Sequence, residues 1–183
     1  TLHEAHDLVF IMVDLDWFKP INDTCGHAAG DRLLMLVKGI LEKACRTSDI
    51  LIRWGGDEFL VVGRSADMEN FEVVPERIRA MIEQTSFDLG DGQVARITCS
   101  IGFTALPRSA DHPERFSLDQ VVALADQALY AAKRSGRNAW VGLLATPETD
   151  LDRLSEVVQS DYDAVVATGL DVRRSASNPG ATA

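Results

Sequence analysis

Two short stretches of the chain combine carboxylates with breaks in apolar segments. The first, "RWGGDEFLVVG" at residues 53–63, interrupts a strand pattern with Gly55-Gly56 and places Asp57 and Glu58 directly after the break. One interpretation is a hairpin turn with solvated acids, since a Gly-Gly dipeptide tolerates positive φ. The other is a place where a triphosphate and metal ions approach the backbone, because glycine leaves the main chain uncovered.

The second stretch, "VDLDWFKPINDTCGHAAGD" at residues 13–31, ends an apolar run with two alternating acids, the first of which is Asp14. By itself this pattern is typical of a strand exit followed by turn residues. However, magnesium usually takes one or two protein carboxylates, and phosphate oxygens and water complete its octahedron. Asp14 and Glu58 each lie at the edge of a predicted core strand, so together they suit a two-metal phosphoryl-transfer site.

Hydrophobic periodicity predicts the elements that must position these acids. Residues 8–14 are apolar throughout and predict a strand buried on both faces. A short polar loop is expected next, and from Gly30 the apolar spacing becomes helical. "DILIRW" and "FLVVG" predict two strands that are joined through Gly55-Gly56.

The second half continues the alternation of helices and strands. Pro75 suits the first turn of a helix, and residues 94–106 predict one strand. Ser117 is a candidate N-cap for a helix that stops at Gly136, and residues 138–144 predict the last strand. The order β, α, β-hairpin, α, β, α, β predicts a single layered sheet with helices packed on it.

The composition is that of one soluble domain with a tail. The chain has 183 residues, 46% of them hydrophobic, which is enough for one sizeable core. We expect one domain over residues 1–144 and, over 145–183, an extension with a short helix and then a disordered tail.

Charge and cysteine usage exclude several classes of protein. A net charge of −10 argues against binding of nucleic acid or of anionic membrane, because polyanion affinity comes from many Lys and Arg contacts. The longest apolar runs fall far short of the roughly 20 residues that cross a bilayer. The three cysteines lack CxxC spacing, so we expect neither a zinc site nor a disulfide framework. A cytoplasmic location is therefore expected, with membrane attachment through upstream segments left open.

These motifs resemble those of the GGDEF-domain diguanylate cyclases, whose signature stands here at residues 55–59. Chance would place such a string in on the order of one in ten thousand chains of this length. "DLDWFKPINDTCGHAAGD", "TCSIGFTAL" and "ADQALYAAKRSGRNAWV" also match in the family's order, so the resemblance spans nearly all of residues 8–143. It implies a single palm-like α/β (α+β) nucleotidyl-cyclase domain with a mainly antiparallel sheet of about five to six strands flanked by helices.

The resemblance implies a reaction between two GTP molecules, one on each subunit of a homodimer. They condense to cyclic di-GMP with loss of two pyrophosphates, and two Mg²⁺ or Mn²⁺ ions serve each active site. Asp14, the backbone carbonyl of Leu15 and Glu58 match the family's metal ligands. Asp57 and Glu58 match its catalytic acids, and a carboxylate at Asp57 could either accept the proton of the attacking hydroxyl or hold that hydroxyl in line.

Other matches concern the nucleotide. Asn22 and Asp31 match the family's guanine-reading residues, and their chemistry suits the donors and acceptors of that base. Phe18 and Lys19 match a loop whose backbone N–H groups face the phosphates. Gly55 and Gly56 would let the nucleotide approach the backbone.

Lys133 and Arg137 match the bases that hold the outer phosphates. Without the resemblance, bases at this position would be interpreted as complementing the dipole of the helix end.

"RTSD", from Arg46 to Asp49, resembles the family's RxxD inhibitory site for cyclic di-GMP, and Arg77 matches a second arginine of that site. The alternative is an ordinary Arg–Asp pair at the end of a helix.

Two further hypotheses stay open at this point. The domain could bind cyclic di-GMP or GTP as a receptor with little turnover, or be another two-metal nucleotidyl enzyme with a palm-like sheet. The family's domains usually open with Asp-x-Leu-Thr-x-Leu-x-Asn-Arg, which is missing before the first strand here. We therefore expect a domain truncated at its N-terminal edge, which pairs weakly.

Overall fold

The computed structural model describes residues 7–65, 70–106 and 115–176. Within these residues the chain alternates strands and helices as follows. The strands are β1 (Asp7–Leu15), β2 (Ile50–Arg53), β3 (Glu58–Ser65), β4 (Phe87–Gly90), β5 (Gln93–Ala95), β6 (Cys99–Leu106), β7 (Trp140–Leu144) and β8 (Asp171–Arg174). The helices are α1 (Phe18–Cys25), α2 (His27–Ala44), α3 (Val73–Gln84), α4 (Leu118–Arg134), α5 (Leu151–Val157) and α6 (Tyr162–Val166).

The main sheet has six strands in the order β2-β3-β1-β6-β7-β8, and β4 and β5 form a separate hairpin. Only the β6–β7 pair is parallel, because α4 forms the crossover between them. The other neighbours are antiparallel. The expected mainly antiparallel sheet flanked by helices is therefore confirmed.

Strand β1 lies in the middle of the sheet and is buried on both faces. Val9, Ile11 and Val13 belong to the core on one side, which α2 and α3 cover. Phe10 and Met12 belong to the core on the other side, which α4 covers. This alternation with period 2 explains why the strand reads as an unbroken apolar run. None of the helices in the described ranges is both long and apolar enough for a bilayer crossing.

One expected loop is wrong. The segment between β1 and the core helix folds into α1, and the next helix starts at His27 rather than at Gly30. Phe18 is buried against the core of α2, and Ile21 packs on the same cluster. Gly26, with φ 86°, separates the two helices, because this left-handed conformation suits glycine. The polar composition of this segment is typical of a loop, although the segment forms a short helix with one apolar side.

The region around residues 94–106 is also more divided than expected. It forms β5 and β6 with an irregular link, since β5 pairs only with β4 in its own hairpin. Pro75 does lie in the first turn of α3, and Ser117 caps α4 in a capping box with Gln120. The helix α4 ends at Arg134 with Ser135 as its C-cap, and Gly136, whose φ is 116°, follows directly.

The C-terminal segment holds more structure than the expected short helix and tail. It forms α5, α6 and β8, and β8 pairs antiparallel with β7, so β7 is not the last strand. Leu154 and Val165 are fully buried against the α4 side of the sheet, which explains why this segment stays ordered. Of the tail predicted for residues 173–183, Arg173 and Arg174 belong to β8, and residues 177–183 lie outside the described residues. The domain bounds 1–144 and 145–183 stay a prediction.

Close packing of α4 on β6 gives a stability test. A Cβ atom on Gly102 would overlap the backbone of Leu129 and Ala125 in α4. We expect Gly102→Ala to lower the free energy of unfolding by about 2–4 kcal/mol, because backbone atoms must move apart. The matched control is Gly39→Ala in α2, where the added methyl meets no atom within 4 Å. It should raise stability by about 0.5–1 kcal/mol. Urea unfolding measures both, and equal effects would contradict this packing.

Candidate functional site

Asp14 and Glu58 lie directly opposite each other on neighbouring strands. They are the terminal pair of the antiparallel register between β1 and β3. Directly opposed residues of an antiparallel pair point to the same face, with Cβ atoms about 4.5–5.5 Å apart. Because Met12, two residues earlier, belongs to the core under α4, the two carboxylates project on the α4 side of the sheet. The sequence-predicted pair is thus brought together.

Asp14 is a buried acid in direct contact with an ammonium group. It is 8% exposed, and its Oδ2 accepts the ammonium of Lys133 at 2.8 Å. Burial raises the pKa of Asp14 to about 6, Lys133 opposes that rise, and the charges of Asp57 and Glu58 add to it. The negative charges of Asp57 and Glu58 therefore disfavour ionisation of the partly buried Asp14, and the ammonium of Lys133 favours it.

The Gly55-Gly56 turn is held by its own neighbours. The N–H groups of Trp54 and Gly55 both donate to the carbonyl of Glu58, at 2.9 and 3.3 Å. A Cβ atom on Gly55 would lie 2.8 Å from Oε2 of Glu58, so the glycine leaves room for that carboxylate. The N–H of Leu15 donates to the carbonyl of Asp57 at 3.3 Å, which ties this turn to the end of β1.

Arg53, the last residue of β2, holds the Gly55-Gly56 turn, and the sequence analysis did not predict this role. Its guanidinium donates to the carbonyls of Gly55 and Gly56, at 3.3 and 2.8 Å. The available signal was an arginine that directly precedes the hairpin, but its targets are backbone atoms that no sequence pattern shows.

The predicted guanine-reading residues lie on the two helices that follow β1. Asn22 is on α1, and its amide group packs against Gly30 of α2 so closely that a Cβ atom there would overlap Oδ1. Asp31 is the next residue of α2 and is exposed. Phe18 is buried, whereas Lys19 is exposed and pairs with Asp23 at 3.1 Å. The packing of α1 on α2 thus places the Asn22 side chain beside Gly30, the residue before Asp31.

The predicted phosphate-holding bases come from the end of α4 and the turn after it. Lys133 contacts Asp14, as described above. Arg137 is exposed, and its guanidinium lies 4.4 Å from the centre of the Trp17 ring, in cation–π contact. Trp17 directly precedes α1 and has a left-handed backbone with φ 61°. Lys133 and Arg137 therefore both contact the segment from Asp14 to Trp17, at the end of β1.

A second set of predicted residues surrounds a cavity of about 490 Å³ on the α2 side of the sheet. Arg46, Asp49 and Arg77 line it together with Arg64. The backbone N–H of Arg46 donates to Oδ2 of Asp49 at 2.8 Å, and its guanidinium reaches the carbonyl of Arg64 at 3.5 Å. The RxxD motif is therefore a local turn that presents an arginine to a cavity.

The carboxylates at the end of β1 and β3 suit a divalent metal that takes few protein ligands. Over the part of the chain that the structure describes, no three His, Cys, Asp or Glu side chains form a group that could hold a metal ion by themselves. Two opposed carboxylates agree with the modest share of protein ligands that Mg²⁺ takes. The contact between Asp14 and the ammonium of Lys133 indicates that this position favours a positive charge. The residues fit a metal that is shared with phosphates.

Comparison with known proteins agrees with the motifs. The family profile described as "Diguanylate cyclase, GGDEF domain" matches residues 1–139. Diguanylate cyclase DgcP of Pseudomonas aeruginosa is 40% identical over 135 residues, which are 74% of this chain and 19% of that protein. Diguanylate cyclase A of Treponema denticola is 39% identical over 131 residues, which are 72% of this chain and 34% of that protein. The chain thus spans about a fifth to a third of the length of these relatives.

Solved structures give the same result for the fold. The GGDEF domain of YfiN (TpbB) from Pseudomonas aeruginosa has a TM-score of 0.67 at 33% identity, over 78% of this chain and 84% of that one. The GGDEF domain of DgcB from Caulobacter crescentus, solved in complex with c-di-GMP, has a TM-score of 0.64 at 29% identity, over 73% and 75% of the two chains. With its signature turn, its opposed carboxylates and its profile match over residues 1–139, the chain belongs to the GGDEF domain family of diguanylate cyclases.

Proposed function

We propose that the chain is a diguanylate cyclase domain that condenses two GTP molecules to cyclic di-GMP as a homodimer. The observation that carries this proposal is the opposed pair Asp14 and Glu58 beside the uncovered Gly55-Gly56 turn. Each subunit binds one GTP. The 3′-oxygen of one nucleotide bonds to the α-phosphorus of the other and pyrophosphate leaves, and the reciprocal step closes the ring.

Asp14, the carbonyl of Leu15 and Glu58 are the ligands that we assign to Mg²⁺ or Mn²⁺, two ions per active site. A bound metal ion would neutralise phosphate charge and lower the pKa of the attacking 3′-hydroxyl. The repulsion that Asp57 and Glu58 exert on Asp14 supports this assignment, because a cation relieves it. Asp57 is the group that we assign to hold or deprotonate the attacking 3′-hydroxyl.

The bases and the turn hold the triphosphate. Lys133 pairs with Asp14 while no phosphate is near, and its ammonium lies where outer phosphates would meet it. Arg137 is exposed beside the same helix end, so it can reach a phosphate without loss of a buried partner. Gly55 and Gly56 carry no side chain that would keep the nucleotide off the backbone. Phe18 and Lys19 provide further N–H groups at the start of α1.

Selection of guanine is assigned to Asn22 and Asp31. A carboxylate accepts from guanine N1–H and N2–H, and an amide both donates and accepts. The packing of Asn22 against Gly30 supports this role, because it limits where the amide can point. ATP would leave these groups mispaired, at a cost typical of unsatisfied polar groups.

We assign the cavity of Arg46, Asp49 and Arg77 to the product, as an inhibitory site for cyclic di-GMP. Three arginines line it, counting Arg64, and guanidinium groups bind phosphates with paired hydrogen bonds. The cavity is on the α2 side of the sheet, whereas Asp14 and Glu58 project on the α4 side. Binding there would therefore act at a distance from the substrate.

The charge on Asp14 gives a prediction about stability without divalent cations. Its pKa is raised from 3.8 to about 6, so the folded state takes up a proton more readily than the unfolded state. Stability therefore falls as the pH rises from about 4 to about 6, and the full cost is present above that. We expect Asp14→Asn to raise the free energy of unfolding by about 1–3 kcal/mol at pH 7.5 and to have no effect near pH 4.

Urea unfolding in chelator, at several pH values, measures this difference. The matched control is Asp23→Asn, since Asp23 is an exposed acid paired with Lys19. It should change stability by less than about 0.5 kcal/mol at every pH. A destabilised Asp14→Asn protein at pH 7.5 would show that Lys133 more than compensates the buried charge.

The catalytic proposal is tested with GTP and Mg²⁺. The chain, alone and fused to a dimerising coiled coil, should release pyrophosphate and form cyclic di-GMP. Glu58→Gln should reduce this by at least about 100-fold, because a neutral amide is a poor metal ligand. Glu42→Gln, an exposed acid of α2, is the control and should retain activity. Chromatography of the products measures the rate. Binding of cyclic di-GMP without synthesis by the fused dimer would favour a receptor instead.

The inhibitory site is tested by Arg46→Ala. We expect it to weaken binding of cyclic di-GMP by about 10- to 100-fold, the usual worth of a hydrogen bond to a charged group. Affinity for GTP should stay the same, since Arg46 is outside the Asp14 site. Calorimetry with each nucleotide measures both, and the exposed Arg153 of α5 provides the control, Arg153→Ala. Unaltered affinity for the product would place it elsewhere.

A further inference from the structure

Asp16 is a buried acid that the proposed reaction does not use. It is 2% exposed and follows Asp14 by two residues at the end of β1. Its Oδ1 accepts the hydroxyl of Ser100 at 2.7 Å, and its Oδ2 accepts the hydroxyl of Thr98 at 2.7 Å. Oδ2 also accepts the backbone N–H of Asn138 at 3.0 Å. A carboxylate that accepts three donors is well satisfied.

The donor from Asn138 belongs to a turn with an unusual backbone. Gly136, Arg137 and Asn138 all have positive φ, at 116°, 64° and 44°. Residues with a side chain rarely adopt this conformation, so it persists only where contacts hold it. The hydrogen bond to Asp16 is one of these contacts.

The side chain of Asn138 provides the other contacts. Its amide donates to Oε1 of Glu83 at 2.7 Å, and its Oδ1 accepts the guanidinium of Arg79 at 2.9 Å. Both partners are on α3. The turn is thus held at its backbone by Asp16, directly after β1, and at its side chain by α3.

This turn decides where Arg137 lies. Arg137 is flanked by two other positive-φ residues, and its guanidinium lies over the ring of Trp17. Trp17 is the residue directly after Asp16 and is itself left-handed. One buried carboxylate therefore fixes two exposed loops, which meet at the Arg137–Trp17 contact.

We propose that Asp16 is a positioning residue for Arg137: its carboxylate holds the turn at residues 136–138 and so aims the Arg137 guanidinium at the outer phosphates of the nucleotide. This inference rests on the proposed function, which assigns Arg137 to those phosphates. Asp16 acts through the N–H of Asn138 and does not touch the nucleotide. The charge matters because a charge-assisted hydrogen bond is about twice as strong as a neutral one.

A double-mutant cycle with 3′-deoxy-GTP and Mg²⁺ tests the coupling. This nucleotide lacks the attacking hydroxyl, so calorimetry measures binding alone. Asp16→Asn keeps the shape but loses the charge, and we expect about 3- to 10-fold weaker binding. Arg137→Ala should weaken binding by about 10-fold or more, and the double variant should match Arg137→Ala alone. The proposal is overturned if Asp16→Asn weakens nucleotide binding by the same factor in the wild-type and the Arg137→Ala proteins. It is also overturned if Asp16→Asn does not weaken binding in the wild-type protein.

Nuclear magnetic resonance tests the same contact without nucleotide. In Asp16→Asn we expect the amide proton of Asn138 to move upfield and to exchange at least about 10-fold faster, because its charged acceptor is gone. An unchanged Asn138 amide would overturn the positioning role whatever the nucleotide does. If wild-type protein fails to bind 3′-deoxy-GTP while the amide responds as expected, the proposed function fails and the link between the loops stands.

Two further variants complete the design. Asp91→Asn makes the same acid-to-amide change in the exposed β4–β5 turn, where φ is 50°, and should alter neither readout. Thr98→Val removes the hydroxyl that shares Oδ2 with the Asn138 N–H. It is the substitute if Asp16→Asn does not fold, and we expect a smaller amide shift and a smaller loss of affinity. An amide shift without any loss of affinity would overturn the proposal.

Discussion

The antiparallel register of β1 and β3 is the constraint on which the site depends. It places Asp14 opposite Glu58 at the end of both strands, so two acids from distant parts of the sequence share one face. A slip of one residue would turn one carboxylate into the opposite core, because side chains alternate with period 2. The apolar residues of β1 prevent such a slip, since both faces of this strand are buried. The core thus protects the geometry of the site.

The buried carboxylate of Asp14 is offset by a positive charge that comes from a distant part of the sequence. Lys133 in the last turn of α4 contacts Asp14, although the two are more than a hundred residues apart. The close approach of α4 to Gly102 sets the height of that helix over the sheet. Asp16, on the same strand end, ties the turn after α4 to the loop before α1. Both connections join the end of β1 to the end of α4 and the turn after it.

Much of this could be predicted from the sequence for identifiable reasons. The strand of residues 8–14, the Gly55-Gly56 hairpin and the Ser117 cap depend on local patterns, which are visible along the chain. The polar segment before α2 was misjudged, because few residues, Phe18, Ile21 and Cys25, give α1 its buried side. The short helix α5 was expected, but α6 and β8 of the C-terminal segment were missed, since burial against the α4 side, rather than local propensity, stabilises this segment.

The sequence by itself determined the chemistry on offer: the signature at residues 55–59, the acids, the bases and the family to which they belong. Only the tertiary structure decided which of these groups meet. The raised pKa of Asp14, its contact with Lys133 and the position of Arg137 over Trp17 arise from burial and from contacts between elements. Desolvation and long-range contacts have no local signature, because they exist only when the sheet and α4 enclose the same space.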